Sequence, residues 1–178
     1  VVLDVDSLMA NSILPTTFQL HEGEVLGLIG LNGAGQREVG RIIAGNQSKI
    51  GGTITLNGKE LRGNVAKVVA RGISLITSSR AEEGLFMELT IRENTFPNLA
   101  VRGAKAISFL KKKQERLRAE ALNEEFNVKP RATELAVATL SGGNQQKVIL
   151  SRWLSMPRSV IVLEEPTAGV DVGAKTDI

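Results

Sequence analysis

Residues 24–45 constrain this chain more than any other stretch. "EVLGLIG" is a short aliphatic run, "LNGAG" completes a set of glycines at 30, 33 and 35, and "QREVGRIIAG" sets Val39, Ile42 and Ile43 at helical spacing before stopping at Gly45, a good C-terminal cap. The order predicted is buried strand, glycine loop, helix. Glycines so placed let successive backbone N–H groups converge on an anion at the positive end of a helix. In the full pattern G-x-x-x-x-G-K-[ST], lysine reaches the β- and γ-phosphates and the hydroxyl binds magnesium. Gln36 and Arg37 stand at those last two positions. Taken alone, the loop reads more readily as a tight turn packed under a helix than as a working phosphate site.

The rest of the first third is β-rich: "VVLDV", "TTFQL" and "GTITLNG" are short β-branched or aliphatic runs, with a turn expected at Asn57-Gly58. A short helix is predicted at "NVAKVVARG" and a buried strand at "ISLIT". From about Phe86 to Thr139 the pattern turns helical. "TIRE" offers a capping box with Thr90 as cap and Glu93 reaching back, and "SFLKKKQERLRAEALNEEF" puts Leu110, Leu117, Ala121 and Leu122 near one face, with Pro130 ending the segment. Lys111 to Lys113 read as a solvated helix face. "SGGNQQKVILSRWLSM" then starts a helix at Ser141 with Ile149, Leu150, Trp153 and Leu154 inward, and "SVIVL" reads as a fully buried strand running into "EEPTAGVD".

Composition removes several alternatives. The chain has 178 residues, enough for one ordinary core and a small appended lobe. Its 22 basic and 19 acidic residues leave a net charge of +3, and its few aromatics do not alternate with basic residues, so nothing points to nucleic acid. Cysteine is absent, which excludes disulfides and thiolate chemistry. With His21 as the only histidine, a His-based triad or multi-histidine metal site is excluded, and His21 reads as a surface residue ahead of the Gly23 turn. No apolar run approaches the roughly 20 residues that span a bilayer. The opening "VVLDVDSLMA" has no basic flank and carries acidic residues, so it reads as strand rather than leader.

Two further segments give the glycine loop its meaning. "LSGGNQQK", Leu140 to Lys147, places a serine and two glycines at a helix start, and about twenty residues later a strand ends in adjacent carboxylates, Glu164 and Glu165. Phosphate loop, helical lobe, "LSGGNQQK" and "VIVLEEPTAGVD", in this order, resemble the nucleotide-binding domain of ABC transporters. In particular they resemble the second ATPase half of the tandem sugar-import ATPases of ribose, galactose and xylose type. The resemblance covers essentially the whole chain.

It implies an α/β P-loop fold with an antiparallel β subdomain and an inserted helical subdomain. Residues 1–85 would form the ATP-binding core, 86–139 the helical subdomain, and 140–178 the signature helix, Walker B strand and D-loop. It also implies a tandem partner domain before Val1 and a switch histidine after Ile178.

By the same resemblance, Gly30, Asn32, Gly33, Ala34, Gly35, Gln36, Arg37 and Glu164 would face this domain's own ATP, with Glu164 toward Mg2+ and Glu165 as general base. Ser141, Gly142, Gly143 and Gln145 would face the partner domain's ATP. The implied partners are that second nucleotide-binding domain, transmembrane permease subunits and, indirectly, an extracytoplasmic sugar-binding protein, with this chain peripheral on the cytoplasmic face of the membrane.

The departures fall on one side of this scheme. Gln36 replaces the loop lysine, Arg37 the magnesium-binding hydroxyl and Glu164 the usual Walker B aspartate, whereas the signature is intact. In "ITSSRAEEGL", Ser78 and Ser79 stand where the family's Q-loop segment has carboxylates, while Arg80, Gly84 and Leu85 are kept, and no aromatic precedes Phe18 to stack on adenine. The expectation is a half with weakened hydrolysis at its own site and a full signature for the other. The competing readings are a non-catalytic regulatory or dimerising module and a soluble ABC ATPase of repair or translation.

Overall fold

The computed structural model describes residues 1–97 and 112–178. It forms two compact units, residues 1–75 with 158–164 and residues 76–157 with 165–178.

The first unit is built on an antiparallel sheet of order β2-β1-β3-β4, from β1 (Leu3–Ala10), β2 (Ile13–Leu20), β3 (Gly51–Leu56) and β4 (Lys59–Glu60). Leu3 and Val5 point inward by strand alternation, but the next inward residue is Leu8, three positions on. A bulge explains the slip. The register of β1 shifts against both neighbours around Ser7, whose φ is 49°. At the other hairpin Asn57 and Gly58 have φ 50° and 72°, the left-handed pair that a two-residue turn needs.

Helix α1 (Gln36–Ile43) lays Val39, Ile42 and Ile43 on this sheet. It stops as predicted: Gly45 takes φ 76°, its N–H bonds to the Ile42 carbonyl, and Asn46 N–H bonds to Arg41. Helix α2 (Val65–Ala70) is capped by Asn64, whose side chain accepts from Lys67 N–H. Strand β5 (Ile73–Ile76) pairs with β6 (Val160–Leu163) in a two-stranded sheet. A methyl at Gly40 would lie 2.8 Å from Val162 Cγ1, so the glycine lets α1 lie directly against the Val162 side chain of β6.

One expected strand does not form. "EVLGLIG" carries no strand structure, and Val25 and Ile29 are 96% and 97% exposed. A strand exists by laddering with a neighbour, and among the described residues no strand pairs with residues 24–30. The same shortage of neighbours corrects the reading of "SVIVL" as fully buried: Val160 is buried, Ile161 and Val162 are half-buried and Leu163 is exposed.

In the second unit a π-turn (Arg80–Gly84) leads to α3 (Ile91–Thr95), which opens with the predicted capping box: Thr90 accepts from Glu93 N–H and Glu93 from Thr90 N–H. Helix α4 (Lys112–Glu125) buries a face different from the expected one. Leu117 and Ala121 are exposed and Leu122 half-buried, while Glu115, Ala119 and Asn123 are inside. The cause is Arg92, itself buried, which bonds Glu115 at 3.0 Å and Glu134 at 2.8 Å and turns the glutamate inward. Ala119 then packs on Phe96. Leu110 and Lys111 lie outside the described residues. The helix ends at Glu125, ahead of Pro130, because Asn127 adopts φ 50° and Val128 N–H closes back on Asn123.

Helix α5 (Gly142–Leu154) has Val148 to Arg152 inside, with Trp153 half-buried and Leu154 exposed, contrary to its expected inward place. Arg152 donates to the carbonyls of Asn94 and Gly84 in the interior, and burial pushes its guanidinium down to about 10. The chain closes with α6 (Val172–Asp177), capped by Asp171.

Candidate functional site

The phosphate-loop residues lie together in the first unit. Gly30, Asn32, Gly33 and Ala34 are exposed, and Gly33 and Gly35 take φ 84° and 92°. Gly35 is the N-cap of α1 and sits against Ser12 and Ile13, where any side chain would overlap the Ser12 carbonyl. The loop is braced from within: Ala34 N–H donates to Leu31, and Ser12 donates to the Glu38 carboxylate. Gln36 does not reach outward as a loop lysine would. Its Nε2 turns back to the Gly30 carbonyl at 3.4 Å, and its Oε1 is buried without a hydrogen-bond partner.

Glu164, at the end of β6, is only 4% exposed. Both its oxygens meet guanidinium groups on one face of α1. Arg41 Nε donates to Oε1 at 2.7 Å and Nη2 to Oε2 at 3.0 Å, while Arg37 Nη2 stands 3.4 Å from Oε2. The positions follow from the helix: residues 37 and 41 are one turn apart, and Gly40 between them allows the close approach to β6. Sequence reading singled out Arg37 and Glu164 but missed Arg41. Its one available signal was the i, i+4 spacing from Arg37.

Magnesium demands near-octahedral oxygen ligands and keeps several of its waters. Position 37 has no hydroxyl, Glu164 is shielded, and both its oxygens are already taken by guanidinium groups. The residues present do not fit the ion. Among the described residues, no group of three His, Cys, Asp or Glu side chains is placed to hold a metal.

The other candidates are in the second unit. Glu165 is exposed and takes φ 41°, with its carbonyl accepting from Ala168 N–H. Ser141 is exposed at the N-cap of α5, and its hydroxyl accepts from Asn144 Nδ2 at 2.9 Å. Gln145 turns inward, its Nε2 donating to Leu140 and Val137 carbonyls. The two glycines are covered by the chain's own later residues. A methyl at Gly142 would lie 2.8 Å from the Gly169 carbonyl oxygen, and one at Gly143 2.5 Å from Ala174 Cβ.

Two further contacts fix this cover. Arg80 donates to the Ala168 carbonyl at 2.6 Å, and Lys147 on α5 holds Asp177 of α6 at 2.7 Å, keeping that carboxyl below its ordinary range. Sequence reading assigned these glycines to phosphate, whereas what the geometry shows is close packing against Gly169 and Ala174. Its signal was the small Ala174 in "GVDVGAK".

The chain is similar to known proteins in sequence and in fold. The family model described as ABC transporter matches residues 14–168. Among curated proteins, the chain is 39% identical over 187 residues to a ribose import ATP-binding protein of Lactococcus lactis subsp. lactis, covering 100% of this chain and 36% of the relative. It is 40% identical over 182 residues to an arabinose import ATP-binding protein of Pseudomonas fluorescens, covering 100% of this chain and 35% of the relative. The chain thus spans about a third of the length of these relatives. Among solved structures, a dimeric bacterial ABC transporter cassette superposes with a TM-score of 0.80 at 20% identity, over 99% of this chain and 79% of that one. A bacterial Atm1-family exporter with ATP bound gives a TM-score of 0.70 at 18% identity, over 99% of this chain and 31% of that one.

Proposed function

This chain belongs to the ABC transporter family, and from that premise we propose that it is one nucleotide-binding half of an importer ATPase, with a degenerate site of its own and a signature that completes its partner's. The observation that carries the asymmetry is the Arg41–Glu164 pair: it ties up the carboxylate of the chain's own site, while Ser141 stays exposed at the head of α5. ATP hydrolysis at the partner's phosphate loop, with a signature supplied by this chain, would drive uptake of a sugar, as the names of the ribose and arabinose import relatives indicate. The importer's other parts would be the second nucleotide-binding domain, the membrane permease and an extracytoplasmic sugar-binding protein. The chain would sit peripherally on the cytoplasmic face. No helix among its described residues is long and apolar enough to cross a membrane.

The test is made in the complete importer. Ser141→Arg puts bulk and charge where a γ-phosphate seat must close, and should abolish ATP hydrolysis. Glu165→Gln should leave most of it, because that carboxylate serves the degenerate site. The reverse sensitivity would mean that this half hydrolyses ATP itself. If neither change reduced turnover, the chain would be a regulatory or dimerising module.

A further inference from the structure

We infer that protein charge has replaced the divalent cation at this phosphate loop, so that whatever nucleotide the loop binds is bound independently of magnesium. The inference rests on the reading of residues 30–37 as a nucleotide site and goes beyond it by specifying the site's ionic requirement.

Three features of the first unit converge on it. Glu164 is committed: its side chain is 3% exposed, and both oxygens accept from guanidinium nitrogens. A magnesium ion that keeps its waters needs an open carboxylate, whereas this one already accepts three guanidinium hydrogen bonds and is almost closed to solvent. Second, the residue whose hydroxyl would ligate the ion is Arg37, which carries a permanent positive charge of its own. A divalent ion arriving beside Arg37 and Arg41 would meet repulsion rather than a ligand cage.

Third, the Arg37 side chain is 47% exposed, on the first turn of α1 next to the glycine loop. From there its guanidinium can meet phosphate oxygens through paired N–H donors, an interaction suited to arginine. The charge neutralisation that magnesium gives a nucleotide elsewhere is thus supplied by a side chain anchored to Glu164. Gly40 is part of the device, since a side chain there would push the helix, and both arginines, away from β6.

Two measurements on this chain test it. Calorimetric titration with ATP in excess magnesium and again in EDTA should give dissociation constants within about twofold of one another. An affinity roughly tenfold or more better with magnesium would overturn the inference. Manganese titration of the chain saturated with a non-hydrolysable ATP analogue, followed by electron paramagnetic resonance, should show no manganese held by protein ligands in the wild type and a protein-held ion in the Arg37→Ser/Arg41→Met variant. Protein-held manganese on the wild type that is lost in Glu164→Gln, or none on a folded double variant, would also overturn it. Arg37→Ser alone keeps the Arg41 pair but removes the phosphate-facing charge, so it should bind ATP roughly tenfold or more weakly in both buffers; unchanged affinity would overturn the inference, which decides the point should the double variant fail to fold. If ATP binds in neither buffer, the reading of the loop as a nucleotide site fails, an outcome distinct from magnesium-dependent binding, which overturns only the ionic requirement.

Discussion

Arg41 holds Glu164 by two parallel hydrogen bonds of 2.7 and 3.0 Å, joining the last turn of α1 to the end of β6 across 123 positions of sequence. Removing Arg41 takes from this buried carboxylate its two shortest guanidinium bonds. Arg41→Leu should therefore lower the unfolding free energy by about 3 kcal/mol, and Arg41→Leu with Glu164→Leu should recover most of that loss. Chemical denaturation of the two variants and the wild type checks both outcomes.

Refitting the loop should strengthen its hold on phosphate. Gln36→Lys replaces a side chain folded onto Gly30 with a charged one that can reach the phosphates. We expect ATP affinity to rise by about ten- to a hundredfold, from one charge-assisted contact, measured by calorimetry with magnesium present. No gain would mean that residues 30–35 have lost their phosphate-binding shape.

Gly143→Ala should destabilise the chain by about 1–3 kcal/mol, because the new methyl falls 2.5 Å from Ala174 Cβ and α6 must move to admit it. Ala174→Gly in the same chain should return part of the loss. Thermal unfolding of the single and double variants measures this. Absence of rescue would place the strain elsewhere.

Acid should loosen α3. The Glu93 carboxyl is held below its ordinary 4.5 by the Thr90 N–H and hydroxyl, and Glu134 is likewise lowered by Arg92. In the unfolded chain both take up protons near 4.5. Their contribution is thus complete above that pH and is lost as pH falls through the lower folded values. Unfolding temperatures recorded from pH 6 down to pH 3 should converge for wild type and Glu134→Gln, with the wild type higher at the upper end.

What was legible in the sequence was local. The Asn57-Gly58 turn, the Thr90–Glu93 box and the Gly45 stop each lie within a few residues of their partners, and each forms as read. What stayed hidden depends on partners far along the chain. Leucine spacing pointed α4 one way, but the Arg92–Glu115 pair, 23 residues apart, turned it another. An aliphatic run at residues 24–30 looks like a strand in isolation, although a strand is a relation to a neighbour rather than a property of its own residues. At the site, the motif positions Gln36, Arg37 and Glu164 were readable one by one. Arg41, which fixes what Glu164 can do, belongs to no motif and is visible only once α1 lies on β6.

The exposed stretch from Val25 to Leu31 has a consequence for how this polypeptide behaves in a tube. Its backbone amides and carbonyls lack a ladder, Val25, Ile29 and Leu31 are open to water, and from Val25 to Gly35 there is no acidic or basic residue to repel a second molecule. Sticky, uncharged and strand-prone, it is the segment through which copies of the chain would find each other as concentration rises. Light scattering should therefore grow with protein concentration and fall when Val25 or Ile29 is changed to lysine, which makes solubility the property most open to improvement by a single surface charge.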